Sequence, residues 1–426
     1  MLSKQITFFG EDSSQIDTTS TFSDSLSLPV HRWIRYSAGF SALWVRELLH
    51  EQRNFGRTKV LDPFAGSGTV LLEAESSDIH GIGIEAHPLV ARIARAKLLW
   101  RLDAVSFKHH ALSICKAAQR RRGSVDYPPL ILKCFPHETL LGLDSLRRTW
   151  QEVADGSPES ELTWLALTSI LRKCSPVGTA QWQYVLPKKR KVSCLNPYEA
   201  FETKIYLMAH DMLLRQAGAS SPSSTLLQGD ARKCLSIPEE WADLVVTSPP
   251  YANNYDYADA TRLEMSFYGE ISGWGDLQDT VRKYLIRSCT QHVAGMNAEI
   301  ETALEDSCLE PIRGELGEAH SKLEKERDKH GGKKAYHAMI VAYFRDMADV
   351  WLALRRVTAR NCLACFVIGD SAPYGIHIPV ERWLGELAIA AGFRSFRFEK
   401  TRDRNIKWKN RKHRVPLHEG RLWVEG

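Results

Sequence analysis

The sequence predicts a doubly wound α/β fold, and three observations carry that prediction. The short apolar strand Lys59-Val-Leu-Asp62 opens into Pro63-Phe64-Ala65-Gly66-Ser67-Gly68-Thr69, and helical spacing resumes at Val70. A second apolar run, Asp243-Leu-Val-Val-Thr247, is halted by Ser248-Pro249-Pro250-Tyr251, because two prolines forbid a strand's continuation. Further strand-like runs at 79–84, 226–230 and 362–370 alternate with amphipathic stretches. Strand, turn and helix in that order build a mainly parallel sheet with helices on both faces.

Length and composition bound the reading. The chain has 426 residues, 44% hydrophobic and 25% charged, enough for one large core or two modest ones. Lys and Arg number 56 against 51 Asp and Glu, so the net charge of +5 says little about a polyanionic partner. Nine scattered cysteines and no signal-like segment suggest reduced thiols in a cytoplasm. No apolar run approaches the roughly 18 residues of a membrane span. The expectation is a soluble, cytoplasmic protein.

Residues 1–27, rich in Ser, Thr and Asp, are expected to be a flexible arm. Residues 28–40 form a loop, and 41–50 an amphipathic helix with Leu43, Val45, Leu48 and Leu49 near helical spacing. The glycine turn at 63–69 is half of a nucleotide-binding βαβ unit, since small residues admit a ligand and the following helix offers free N–H groups. Glu85 ends the next strand, 17 residues after Gly68. That position suits an acid that accepts hydrogen bonds from ribose hydroxyls.

Residues 102–225 break the alternation and read as a mainly helical insertion, with helices at 162–171 and 196–214. A third strand, from Leu226, ends in Asp230, placed to accept an adenine amine. Residues 275–335 read as a second helical insertion, 336–357 as a long amphipathic helix, and 379–391 as another helix. The residues from 394 to 414 form a tail with ten Lys or Arg against Glu399 and Asp403, followed by a last strand at 421–425.

Asp62 to Thr69 and Ser248-Pro-Pro-Tyr251 together resemble the two principal motifs of S-adenosylmethionine-dependent amino-group DNA methyltransferases of the bacterial modification type. The likeness spans roughly 28–100, 226–270 and 336–393. It implies a seven-stranded mixed Rossmann-like sheet, with 28–101 and 226–426 as catalytic domain and 102–225 as candidate target-recognition region. It also implies cofactor contacts from Asp62, Pro63, Phe64, Ala65, Gly66, Gly68, Thr69, Glu85, Ala86, Asp230 and Ala231. The loop before residue 41 resembles the family's amino-terminal cofactor segment and adds Tyr36 and Phe40. The catalytic set is Ser248, Pro249, Pro250 and Tyr251, with Ser248 and the Pro249 carbonyl accepting from the base amine and Tyr251 stacking on a flipped base.

Serine in first place resembles the cytosine-N4 subgroup more than the adenine-N6 subgroup. An RNA guanine-N2 enzyme is a further alternative, although those usually carry Asn or Asp where Ser248 stands. Double-stranded DNA is the implied substrate, and a cognate restriction endonuclease a possible companion. Lys188, Lys189, Arg190 and Lys191, in a run that also matches a nuclear-import signal, read as a phosphate-contacting loop. Lys407, Lys409, Arg411 and Lys412 in the basic tail have the same reading. Cys362-x-x-Cys365 lies in an apolar strand and reads as buried thiols, and no metal site is expected.

Overall fold

The structure, a computed structural model of the chain, describes residues 24–36, 39–121, 123–180, 183–191, 194–217, 222–253, 255–293, 297–404 and 415–426. Seven strands form its main sheet: β1 (Lys59–Asp62), β2 (His80–Glu85), β5 (Thr225–Gln228), β6 (Ala242–Thr247), β7 (Thr358–Gly369), β8 (Ser395–Arg404) and β9 (Leu417–Glu425). A separate hairpin pairs β3 (Val177–Thr179) with β4 (Val185–Arg190). The sheet order is β5-β2-β1-β6-β7-β9-β8, parallel through β7 and antiparallel at β9 and β8. This is the mixed seven-stranded sheet that the sequence implied.

The strand order turns back between β1 and β6. From β1 the chain moves outward to β2 and β5, then returns to β6 on the other side of β1 and moves outward again. Such a switch point opens a crevice at the carboxyl ends of the strands. Here those ends carry Asp62 and Thr247.

Alternation along the strands feeds two apolar layers. Val60, Leu244, Val246, Cys365 and Val367 face the helix Ala42–Asn54, whose Val45, Leu48 and Leu49 join the same core. Leu61, Val245, Ala364 and Phe366 face the long helix Tyr336–Val357. Cys362 and Cys365 fall in different layers, so strand geometry keeps the two thiols apart. Both are buried, as expected, and burial pushes the Cys362 thiol up to about 12.

The helices Ala104–Ala118, His137–Val153, Pro158–Cys174 and Pro197–Gln216 make up most of the first insertion. They share one continuous core with Leu89 and Ile93 of helix Pro88–Leu98 and with Leu263 and Phe267 of helix Arg262–Tyr268. Arg92 also joins the two parts, bonding Glu161 at 2.8 and 2.9 Å beneath the ring of Trp164.

Three local expectations need correction. Residues 395–404, taken as tail, form β8: charge at the sheet edge hides a strand that pairs only on one side. Lys188, Lys189 and Arg190 lie on β4, not in a loop, because Val177–Thr179 supplies it with a partner. At the amino end, Ser25 is buried and its hydroxyl accepts from the Ala42 N–H at 3.3 Å, so the expected arm is already packed there. The described helices include none long and apolar enough to cross a membrane.

Trp351 of the long helix stacks on Phe366 of β7 at 4.4 Å and meets Phe393 edge-on at 5.4 Å. Trp351→Ala is expected to lower stability by about 3–5 kcal/mol, read as a lower midpoint in urea denaturation with an unchanged slope.

Candidate active site

The site starts from two turns tied together beneath the crevice. Asp62 Oδ1 accepts the hydroxyl of Thr247 at 2.6 Å and the Phe64 N–H at 3.0 Å. Asp62 thus joins the exits of β1 and β6 and starts the glycine turn. Gly66 and Gly68 take positive φ, 51° and 84°, where a side chain is strained. A Cβ on Gly66 would lie 3.1 Å from Cε1 of Tyr36, so the missing side chain lets that ring settle on the turn. Gly68 caps helix Thr69–Ser76, and the buried Lys97 ammonium donates to the Ser67 carbonyl from behind at 2.9 Å.

Glu85, at the end of β2, accepts from the Gly66 N–H and from the His87 N–H, both at 2.8 Å. At the end of β5, the Gly229 N–H donates to the Glu85 carbonyl at 3.1 Å, which brings Asp230 alongside. Asp230 accepts from the Arg232 side chain at 2.9 and 3.1 Å, and Arg232 also reaches Asp346 at 3.2 Å.

These elements enclose a pocket with about 630 Å³ of empty space, part of it open to solvent. Its lining brings together Tyr36, Pro63, Phe64, Gly66, Glu85, Ala86, Asp230, Ala231, Ser248 and Pro250 from the sequence-derived set. Asp62, Ala65, Gly68, Thr69 and Pro249 are buried or turn-forming residues behind that wall. Phe40 is not at the pocket: it packs on Trp44 at 5.7 Å in the core under the first helix. Tyr251 stands beside the pocket, with the Arg404 guanidinium over its ring at 5.2 Å and Gly369 close against its edge.

Sequence reasoning missed Ile84, His87, Tyr257, Tyr284, Leu285 and Ile286, which complete the lining. His87 stands two residues after the acid at the end of β2, and that closeness is the signal the sequence carries for it. Its Nε2 lies 2.8 Å from the Thr261 hydroxyl, and burial pulls it down to about 4, so it is neutral near pH 7. Tyr284 to Ile286 enter from the second insertion and carry no local signal.

Lys188, Lys189, Arg190 and Lys191 are exposed on and just after β4, with Lys191 Nζ donating to the Arg172 carbonyl at 2.7 Å. Arg172 holds the hairpin by donating to the Gln183 carbonyl while gripping Glu264 at 2.6 and 2.8 Å. The Tyr184 hydroxyl accepts the Asp256 N–H at 2.6 Å, so the hairpin touches the chain leaving Tyr251. Lys407, Lys409, Arg411 and Lys412 lie outside the described residues.

A strand switch point, a glycine turn, a strand-end acid and a Ser-Pro-Pro turn share one pocket. The chain is 26% identical over 424 residues to the type II methyltransferase M.AvaI of Nostoc sp. strain PCC 7120, covering 88% of this chain and 81% of that one. It is 25% identical over 434 residues to the type II methyltransferase M.BsoBI of Geobacillus stearothermophilus, covering 89% and 83%. No family model matches. A solved rRNA methyltransferase, aviRa of Streptomyces viridochromogenes, covers 96% of this chain and 95% of its own at 12% identity, but a TM-score of 0.28 gives that likeness no weight.

The relatives and the fold imply S-adenosylmethionine as methyl donor. The pocket fits it: a side-chain-free turn at Gly66, a carboxyl at Glu85, an apolar wall of Ile84, Ala231 and Leu285, and a His87 Nδ1 with no partner among the described residues.

Burial pushes Asp62 up to about 7 and Glu85 up to about 7, against the hydrogen bonds that each accepts. Both acids therefore hold protons more tightly when folded. Their contribution to stability is full below pH ~4 and is lost as the pH rises toward 7. Glu85→Gln is expected to make that loss shallower, by at most on the order of 3 kcal/mol, when urea midpoints are compared from pH 4.5 to 8. An unchanged pH slope counts against the raised value.

Proposed function

We propose that the chain is a site-specific DNA methyltransferase that modifies the N4 amine of a cytosine flipped out of the duplex. The observation that carries this reading is the shared pocket: Ser248 and Pro250 line the same cleft as Gly66 and Glu85. Bound S-adenosylmethionine supplies an electrophilic methyl group on a sulfonium. The chain's own residues then have to hold the amine, take its proton and keep water out.

Ser248 is oriented for the first task. Its hydroxyl hydrogen is directed to the Val367 carbonyl at 3.2 Å, and with the Tyr251 hydroxyl in contact with the same side chain a lone pair of the oxygen is left to accept from an amine N–H. The Pro249 carbonyl supplies a second acceptor, and neither proline offers a competing backbone N–H. Two acceptors on one –NH₂ group draw its lone pair out of the ring; the methyl group's bond to sulfur would break as its bond to nitrogen forms, and the surplus proton would pass along one of those hydrogen bonds to water. Tyr251 supplies the stacking face, and a base on the side of the ring covered by Arg404 takes that guanidinium's place.

The choice of cytosine over adenine rests on serine at position 248. Ser248→Ala and Tyr251→Ala are each expected to cut methyl transfer by about 100-fold or more while cofactor binding is retained. Modification-sensitive sequencing of DNA from expressing cells reads base, atom and site together. N6-methyladenine in that experiment overturns the cytosine assignment, and label transfer to RNA but not duplex DNA overturns the substrate class.

The basic edge of β4 is proposed as a phosphate contact. Changing Lys188, Lys189 and Arg190 to Ala is expected to flatten the plot of log binding constant against log salt by ~0.9 per lost contact. A slope equal to that of the unaltered protein removes the hairpin from the interface.

A further inference from the structure

Three buried side chains outside the pocket converge without a role in methyl transfer. Asp256, Cys289 and His292 are each at most 4% exposed, and one ligand atom from each lies within 4.8 Å of the others. His292 Nδ1 is 3.0 Å from the Ile286 carbonyl, an acceptor only, so Nδ1 carries the ring proton and Nε2 presents a lone pair. Among the described residues Nε2 has no hydrogen-bond partner, although it faces Asp256 Oδ1 at 3.6 Å.

Two acceptors therefore look at one another across a gap too long for a hydrogen bond. The gap is close to what a shared ion requires: zinc bonds of about 2.0–2.2 Å to nitrogen and oxygen set those ligands roughly 3.3–3.6 Å apart. The surroundings resemble an outer shell. Asp256 Oδ2 is held by Arg282 at 2.9 and 2.6 Å, and Oδ1 accepts the Ala258 N–H at 3.1 Å. The Ser288 hydroxyl in the same turn also lacks a partner among the described residues.

We propose that Asp256, Cys289 and His292 bind a single thiophilic divalent cation of the zinc class. On binding, the ion would displace the Cys289 proton to solvent, so that a thiolate and a carboxylate face its two charges, with Arg282 as the outer partner of the carboxylate. The sulfur must draw in by a side-chain rotation to complete the tetrahedral edge. A proton on Nε2 is the rival bridge, but it would leave the thiol idle. The ion's place suggests a structural staple: Asp256 starts the helix after the Ser-Pro-Pro turn, while Cys289 and His292 follow the pocket-lining Tyr284, Leu285 and Ile286.

Elemental analysis of the full chain, purified without chelator, is expected to find about one zinc per chain. Cys289→Ser and His292→Gln should each lose at least nine-tenths of it, and the exposed-thiol control Cys194→Ser should keep it. On the unaltered protein, chelation should lower Tm and added zinc restore it, and cobalt loading should give a sulfur-to-metal charge-transfer band. These two measurements decide the matter if the variants fail to fold. Unaltered protein that is isolated metal-free and takes up neither zinc nor cobalt overturns the proposal. None of these readouts depends on methyl transfer, so they stand apart from the proposed reaction.

Discussion

The hydrogen bond from Thr247 to Asp62 is the constraint on which the site is built. It joins the last residues of β1 and β6, the strands between which the chain reverses its direction across the sheet. Their parallel register, Val60 with Leu244 and Leu61 with Val245, brings the two exits level. A carboxyl this deeply buried must be given donors, and the two that it has belong to the two turns that matter. The Phe64 N–H starts the glycine turn, and the Thr247 hydroxyl stands immediately before Ser248.

A second buried carboxyl does comparable work on the far wall. Asp346, on the long helix, accepts from Arg232 at 3.2 Å and from the Arg287 side chain at 2.6 and 3.1 Å, besides the Arg287 N–H at 2.9 Å. Arg232 holds Asp230, and Arg287 follows the pocket-lining segment Tyr284 to Ile286. One acid on a core helix therefore positions two walls that are far apart in sequence. Removing it would leave two guanidinium groups without their shared partner, which costs more than the net worth of either pair.

What was legible in the sequence follows from where each signal is stored. β1, β6 and β7 are short apolar runs, because both of their faces are covered, and glycines or prolines mark their ends. The residues at the β1 and β6 ends could be named, and the structure brings five of them, Pro63, Phe64, Gly66, Ser248 and Pro250, into one lining. β8 could not be read, because its charges belong to an edge that pairs only with β9. Phe40 was misplaced for a different reason: an aromatic residue before a helix looks the same whether it faces a ligand or the core. Tyr284 to Ile286 reach the pocket through tertiary packing alone, and no local spacing records that.

The first insertion also reads differently in three dimensions. As a sequence, 102–225 is an interruption between two motifs. In the fold it shares an apolar core with the helices that flank those motifs. Its hairpin is fastened by Arg172 to Glu264 and to the Ala260 carbonyl, just beyond the Ser-Pro-Pro turn, and Tyr184 accepts the Asp256 N–H. The basic edge of β4 and the exit of the Ser-Pro-Pro turn are therefore linked through short, partly buried contacts. On the proposed function, a phosphate gripped at Lys188 to Arg190 would be held at a set distance from the base entering at Ser248. The insertion lies before Asp230 in the chain, yet on that reading recognition and chemistry would need no contiguity in sequence, because one arginine fastens the hairpin to the segment beyond Tyr251.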